Sequence, residues 1–446
     1  MPGGLTRRYA RGRRRAIRAP CRVVGVALAG AVVCAALTLG AGGCSLTNEL
    51  VTSAPRPLPE GRRPFGTFRR VHGVGVLSLR GSPYERGRAH GRLLARGVLE
   101  MVDTVCGSNL LLGRRSDYQR VILPMVARFR FTDAEEAELR GILDGVRSAL
   151  GDKAVLERIG RPLTLDDLKA YNTAGDWYRQ ACSTFAAWGG RTRDGHVWVG
   201  RNFDFLPARA FLAHQMIVVH RPRAGTKAWA SVSAPGMIGC ITGINADGVF
   251  ASVHDVFLPL RPLEQGYVPR LLVLRRLLER CTADDLQRQA LPILEASTQM
   301  FDNNILLAAP VGDGTTPALV FEYNGDRRKD KGVTVRRPAD NEDYYGREMI
   351  ACTNHFRKRR RPTVNPLNYR YPLIGRVLKT KTDRGEKVAF DLAYRTMAAV
   401  RLPITVHTVI ADLNALEFWY APGGFLVPPG RDDFVKLPIK AWLTSP

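Results

Sequence analysis

The chain has 446 residues, 66 Lys and Arg against 41 Asp and Glu, a formal charge of +25 and 45% hydrophobic residues. This composition excludes a disordered or collagen-like chain, and the length allows two or three units or one large one with an appendage. Despite the basic excess, no zinc-finger spacing, recognition-helix pattern or RNA-binding aromatic signature is present, so no nucleic-acid partner is expected. The densest basic run after the leader, Arg357-Lys358-Arg359-Arg360-Arg361, reads as a solvated loop.

Residues 1–43 hold eight Arg and no acid. Seven of them, Arg7 to Arg18, precede an apolar stretch from Val23 to Leu39 and the exit Ala41-Gly42-Gly43-Cys44. A basic head, an apolar middle and small residues describe an export signal. Cys44 after Ala-Gly-Gly resembles a bacterial lipobox, with Ala41 where Leu is usual. That resemblance implies lipid on Cys44, loss of the leader 1–43 and attachment to the membrane in the cell envelope. An uncleaved transmembrane anchor and an ordinary secretory signal stay open as alternatives. Each reading places the body outside the cytoplasm, with residues 44–64 as a tether.

The segment 65–181 is expected to be mainly helical. Ser82 caps a helix with Pro83 at its first position. Thr132 opens another, with Leu139, Ile142, Leu143 and Val146 at helical spacing. Thr164 to Ala174 is a third. At Cys182 the pattern becomes strand-like: Cys182 to Trp188, a turn at Arg193-Asp194-Gly195, and a return over His196 to Phe205. Further strands follow at Gln215–His220 and Trp229–Ser233, then a hairpin turning at Asn245-Ala246-Asp247-Gly248. Leu271 to Leu278 and Ala283 to Ala296 read as helices. Strands resume at Ile305–Ala308, Leu319–Tyr323, Val333–Arg336 and Met349–Thr353. A helix over Lys387–Val400 and strands at Val406–Asp412 and Glu417–Tyr420 end the chain. Two groups of strands separated by helices indicate sheet layers covered by helices.

Five cysteines lie in the body: Cys106, Cys182, Cys240, Cys281 and Cys352. In an exported protein an odd number leaves at least one unpaired. No pair has C-x-x-C spacing and the histidines are scattered, so neither a metal nor a cofactor is expected. A lone Cys is more often a small buried hydrophobe than a nucleophile. Cys182 differs because it heads a hairpin whose second strand ends Gly200-Arg201-Asn202-Phe203-Asp204-Phe205. Strand pairing would bring Arg201 and Asp204 near it. A cation favours the attacking thiolate. If the bond before Cys182 is cut, its own α-amino group becomes a base with a pKa of about 8, and Asp204 is placed to hold it.

Cys182-Ser183-Thr184-Phe185 followed by Gly200-Arg201-Asn202-Phe203-Asp204-Phe205 resembles the N-terminal-nucleophile hydrolases of the choloylglycine hydrolase, penicillin V acylase and acyl-CoA:6-aminopenicillanate acyltransferase group. The resemblance runs from about Ser82 to Gly423. It includes Gly81-Ser82-Pro83-Tyr84-Glu85-Arg86-Gly87 with His90-Gly91, Gly243-Ile244-Asn245-Ala246-Asp247-Gly248-Val249, Cys352-Thr353-Asn354-His355-Phe356 and Tyr369-Arg370-Tyr371. It implies an α+β, four-layer αββα sandwich over 182–446, a helical pro-segment over 65–181, and self-cleavage between Ala181 and Cys182. Residue by residue it implies Cys182 as nucleophile, Arg201 and Asp204 as its support, Asn354 as an orienting or oxyanion group, and Arg370 as the late arginine, with Arg376 competing. The oxyanion Asn of the group falls on Asp255, a departure, because a carboxylate repels an oxyanion; neighbouring His254 is the alternative donor. The implied activity is an amidase or acyltransferase working on small N-acyl amides through an acyl-thioester. An inactive, surface-anchored binding protein on the same fold is the alternative.

Overall fold

Among the described residues, three strands precede the first helix. The computed structural model describes residues 57–107, 117–205, 208–222, 225–256, 265–310, 312, 316–324, 330–341, 344–359 and 366–444. The leader 1–43, the lipidation candidate Cys44 and most of the tether lie outside the described residues. The described residues fall in one compact unit within Ala41–Pro446. Among them, no helix is long and apolar enough to cross a membrane.

Strands β1 (Gly61–Arg63), β2 (Gly66–Val71) and β3 (Val74–Gly81) are followed by helices α1 (Pro83–Leu93), α2 (Ala95–Gly107) and α3 (Asp133–Leu150). A two-strand ladder of β4 (Val155–Leu156) and β5 (Arg161–Pro162) precedes α4 (Leu165–Asn172) and α5 (Ala174–Trp177). The hairpin of β6 (Ala181–Gly189) and β7 (Gly195–Asp204) leads through α6 (Arg209–His214) to β8 (Met216–Pro222), β9 (Trp229–Ser233), β10 (Thr242–Asn245) and β11 (Phe250–Asp255). Then come α7 (Arg270–Arg280), α8 (Leu286–Glu295), β12 (Asn303–Ala308), β13 (Ala318–Tyr323), β14 (Val333–Arg336) and β15 (Met349–Cys352). The chain closes with α9 (Arg370–Asp383), α10 (Phe390–Ala399), β16 (Thr405–Asp412), β17 (Glu417–Pro422), β18 (Val435–Leu437) and α11 (Ile439–Thr444).

The strands form two large sheets. One has ten strands in the order β1-β2-β3-β8-β9-β10-β11-β12-β13-β14, and the other six in the order β15-β6-β7-β16-β17-β18. All neighbours are antiparallel except β3 and β8. The alternation of each strand sends one apolar row between the sheets, where Val76, Ile217, Val219 and Ile244 meet Ala186, Val199 and Val409. Helices α2, α3, α4 and α7 cover the outer face of the larger sheet. Helices α9 and α10 cover the smaller one through Tyr371, Ile374, Leu378, Leu392 and Met397. The result is the αββα arrangement, an α+β sandwich.

The N-caps act as the sequence indicates. Ser82, Thr132 and Thr164 each form a reciprocal capping box with the acid three residues on. Helices α1 and α3 meet along glycines. A Cβ on Gly87 would lie 2.0 Å from the Glu138 carbonyl oxygen, and one on Gly141 2.3 Å from that of Tyr84. The same pair carries a buried charge cluster: Glu138 receives Arg86 at 3.0 Å and Arg275 of α7 at 2.8 Å. Residues before Cys182 are thereby tied into the body by a sheet neighbour, β3 against β8, and by buried ion pairs.

Three expectations need correction. Residues 65–181 are helical only from Pro83 on, because β1–β3 come first; their exposed arginines, such as Arg69 and Arg70, hide the apolar alternation. Helix α9 was not expected, since only Tyr371, Ile374, Gly375 and Leu378 of its central turns are buried among Lys, Arg and Thr. The basic run is not a solvated loop over its described part. Glu322, inside β13, accepts the backbone N–H groups of Arg357 and Lys358 at 2.7 and 2.9 Å and that of Arg359. Arg359 is buried and donates to Thr334, and Lys358 pairs with Asp340. Arg360 and Arg361 lie outside the described residues.

Candidate active site

Cys182 is the second residue of β6, the second of six strands in the smaller sheet, and is fully buried. In the β6–β7 register it stands opposite Phe203, with Ala181 opposite Asp204 and Thr184 opposite Arg201. Side chains two apart share a face, so Cys182, Thr184 and Arg201 all point between the sheets. Arg201 Nη2 approaches Cys182 Sγ at 3.5 Å. Its other nitrogens are fixed by Thr242 Oγ1 at 2.6 Å and the Val253 carbonyl at 3.3 Å, both on the larger sheet. Burial pushes the Cys182 thiol up to about 11, with Arg201 pulling the other way. With the chain continuous through Cys182, the sulfur is therefore a protonated thiol near neutrality.

Asn354, just past β15, joins both sides of the 181–182 bond. Its Oδ1 accepts the Cys182 N–H at 3.0 Å and Arg370 Nη2 at 2.5 Å. Its Nδ2 donates to the Asp255 carbonyl at 2.7 Å and to that of Gln180 at 3.2 Å. Arg370, at the start of α9, also donates to Asp204 Oδ2 at 2.6 Å, and Thr405 holds the other Asp204 oxygen. Burial pushes the Asp204 carboxyl up, against Arg370 and Thr405. Arg376 is exposed on α9, so of the two late arginines Arg370 is the one at the site.

The structure thus brings Cys182, Arg201, Asp204, Asn354 and Arg370 into one connected set, with Ala181 opposite Asp204. His254 and Asp255 lie beside it with other partners. The Asp255 carboxylate is paired with Arg270 and accepts the Gln180 N–H at 2.9 Å. Burial raises this carboxyl while Arg270 and Arg179 oppose the rise. Arg270 also faces the Tyr178 carbonyl at 3.4 Å, and its backbone N–H reaches Asp176. Neighbouring His254 is held neutral by burial, with Arg201 acting in the same direction. Its Nε2 faces Thr184 Oγ1 at 2.8 Å and Arg201 Nη1 at 3.4 Å, and its Nδ1 faces Cys352 Sγ at 3.3 Å. Since the guanidinium can only donate, Nε2 is the acceptor and Nδ1 carries the proton.

Arg270, Thr242 and Thr405 were missed by sequence reasoning. Arg270 stands one residue ahead of the apolar face that marks α7, and the threonines sit in ordinary strands, so nothing local singles them out. An aromatic group of Tyr178, Phe203, Phe205 and Phe211 lies alongside, with Tyr178 and Phe205 ring centroids 6.2 Å apart. The five described cysteines are free and buried. At the far end of β7, Asp194, His196 and Asp412 have ligand atoms within 4.8 Å of one another. His196 Nδ1 there lies 2.8 Å from Asp412 Oδ2, a His–Asp pair.

Residues 191–390 match the family described as acyl-coenzyme A:6-aminopenicillanic acid acyl-transferase. The match contains Arg201, His254, Asp255, Asn354 and Arg370, and begins after Cys182. An uncharacterized protein of Archaeoglobus fulgidus is 28% identical over 324 residues, covering 64% of this chain and 50% of that protein. The chain therefore spans about half the length of this relative. Among solved structures, a Caenorhabditis elegans N-acylethanolamine-hydrolyzing acid amidase ortholog aligns at 15% identity and a TM-score of 0.38, over 52% of this chain and 93% of its own. A Clostridium perfringens conjugated bile acid hydrolase aligns at 11% and 0.39, over 57% and 92%. Penicillin V acylase from Agrobacterium tumefaciens aligns at 13% and 0.34, over 54% and 83%. Over residues 191–390 the chain resembles the acyl-coenzyme A:6-aminopenicillanic acid acyl-transferase family, within the N-terminal-nucleophile hydrolase group that its motifs indicate.

Proposed function

We propose that this chain is a Cys-nucleophile amidase or acyltransferase that matures by cutting itself between Ala181 and Cys182. The observation that carries the reading is the convergence on Cys182 of Arg201 at the sulfur and Asn354 at the amide nitrogen. In maturation the Cys182 sulfur attacks the Ala181 carbonyl. The carbon–nitrogen bond breaks, the thiol proton passes to the departing nitrogen, and Ala181 is left as a thioester on Cys182. Water hydrolyses that thioester to give the Ala181 carboxylate and a free Cys182 with its own α-amine. The amine, held by Asp204, then takes the thiol proton during attack on an external N-acyl amide and returns it to the leaving amine. Water, or a second amine, finally accepts the acyl group.

Asp255 has a different part in this reading from an oxyanion group. Its carboxylate, neutralised by Arg270, grips the Gln180 N–H while Arg270 faces the Tyr178 carbonyl. The segment entering the cut is thus held from one side, and Asn354 holds it from the other. The inactive alternative rests on Asp255 standing where the group has its oxyanion Asn; a carboxylate engaged by Arg270 and the Gln180 N–H supports the maturation reading instead. The candidate substrates are small N-acyl amides. The leader supports export and a lipid anchor on Cys44.

The test is acid quenching of the purified protein during turnover of a panel of N-acyl amides, followed by peptide mass analysis. An acyl group on the Cys182 peptide is the expected result. Amide hydrolysis that survives Cys182→Ala would refute the assignment.

A further inference from the structure

The larger sheet has ten strands and the smaller six, so part of its inner face has no sheet opposite it. The limit of the cover is readable in β2 and β3. Val71 and Val74 pack against the inter-sheet core, whereas Arg69 and Arg80 on the same face are exposed. Beyond that limit the face turns cationic. Arg80 and Arg221 are direct partners in the parallel β3–β8 register, and strand alternation places both on the inner face. One step back along β3, Ser78 pairs with Thr67, which pairs with Arg62 of β1. Arg80 and Arg221 line an open cleft of about 510 Å³, and together with Arg62, Thr67 and Ser78 they line an adjoining smaller one of about 140 Å³.

Like charges facing each other across a strand pair destabilise a sheet. Here no carboxylate compensates, because none of Arg62, Arg80 and Arg221 is in an ion pair among the described residues. Arg221 Nε is held by the Trp442 carbonyl at 2.9 Å, which fixes the direction of its guanidinium. Glu85 Oε2, which a Cβ on Gly81 of the open cleft would approach to 2.8 Å, accepts the Ser82 N–H at 2.7 Å. The lip of the cleft is a two-residue turn at Pro64-Phe65, with Phe65 at a φ of 66°. Its ring lies so close to Gly81 that a Cβ there would sit 2.8 Å from it. Guanidiniums and hydroxyls lining one small cleft match the oxygens of a phosphate group, for which arginine forks are the preferred partner.

We propose that the Arg62–Arg80–Arg221 cleft binds a phosphate-class oxyanion. The site is independent of Cys182 and of the amidase reading. Two sources share this chemistry: free phosphate, and the headgroup of an anionic phospholipid, toward which the cleft would face if the tether entering β1 is membrane-bound.

The experiment uses the full chain in non-ionic detergent. Thermal midpoints are titrated with inorganic phosphate against chloride at equal ionic strength, and separately with micelles doped with phosphatidylglycerol or phosphatidylcholine. Saturable stabilisation by phosphate identifies the free ion as a ligand; stabilisation by phosphatidylglycerol micelles alone identifies the headgroup. In either arm Arg80→Gln with Arg221→Gln should weaken binding at least tenfold, and Arg80→Gln alone, which breaks no hydrogen bond of the fold, should weaken it severalfold. Arg384→Gln, an exposed arginine elsewhere, should change nothing. Equal stabilisation by chloride and phosphate, no response in either arm, or an unchanged response in the folded Arg80→Gln protein would overturn the proposal.

Discussion

Replacing Arg201 by Gln tests the electrostatic core of the mechanism. In the uncut chain the Cys182 thiol stands near 11, pushed up by burial and opposed by Arg201 at 3.5 Å. A unit charge at that separation is worth up to about 5 kcal/mol at an effective dielectric of about 20. Opposite charges at such range move a pKa by about one to three units. Losing Arg201 should therefore lower the thiolate fraction at a fixed pH about 10- to 1000-fold. The assay is the first-order rate of self-cleavage of full-length chain made by cell-free synthesis, followed on denaturing gels from pH 6 to 9. Below the thiol pKa the thiolate grows about tenfold per pH unit, so the wild-type rate should climb with that slope. Arg201→Gln should keep the slope and fall by the stated factor, and Arg201→Lys should recover part of it. Circular dichroism checks that the variants fold, since Arg201 also holds Thr242 and the Val253 carbonyl. A folded Arg201→Gln chain cutting at the wild-type rate would make Arg201 a purely structural ion. A pH-independent wild-type rate would remove the thiolate from the mechanism.

Asp255→Asn leaves Arg270 buried without its main partner, and breaking such a pair costs about 3–5 kcal/mol; chemical denaturation should show this loss. Adding Arg270→Met should restore most of the stability but not the cleavage rate, because the grip on residues 178–180 is gone. Glu138 has its carboxyl near 2, where Arg275 and Arg86 outweigh the upward push of burial. Its folded value lies below the unfolded one, so this contribution is complete above about pH 4.5 and disappears as pH falls toward 2. His90, held near 4 by burial, adds a loss as pH falls from 6.5 to 4. Glu138→Gln should thus be less stable than wild type at pH 7 by about 3–5 kcal/mol, with the gap narrowing at pH 3 in urea titrations. Gly87→Ala should cost about 1–3 kcal/mol or more, read as a lowered thermal midpoint, because its methyl meets the Glu138 carbonyl. Cys44→Ser should abolish labelling by a fatty-acid probe and release the protein from detergent-phase partitioning; unchanged labelling would rule out lipid on Cys44.

Much of the site was legible because its chemistry sits in short contiguous runs. Cys182 heads a strand whose hairpin turn, Arg193-Asp194-Gly195, fixes the register, and that register alone places Arg201 two rows from the sulfur. The capped helices were equally readable, since Ser82, Thr132 and Thr164 each carry an acid three residues on. The misses have a common physical cause. β1 and β2 carry exposed arginines on both faces, Arg62 and Arg63, Arg69 and Arg70, so their period-2 signal is diluted. α9 buries only a narrow stripe. Asp255 could not be understood from its own strand, because its partner Arg270 lies across a helix start and the Gln180 N–H comes from a separate segment. Arg359 is buried by Glu322, a carboxylate flanked by Phe321 and Tyr323 whose burial was the available clue to an internal charge. Long-range pairs between charged residues leave no periodic trace in a sequence.

The central claim is that Cys182 becomes an N-terminal nucleophile through its own chemistry. Intact mass spectrometry of the purified full chain tests it most directly, with Cys182→Ala measured beside wild type. Two wild-type polypeptides are expected, one ending at Ala181 and one beginning at Cys182 and ending at Pro446, and a single uncut chain for Cys182→Ala. An uncut wild-type chain that still turns over N-acyl amides, or a Cys182→Ala chain that is cut at the same bond, would contradict it.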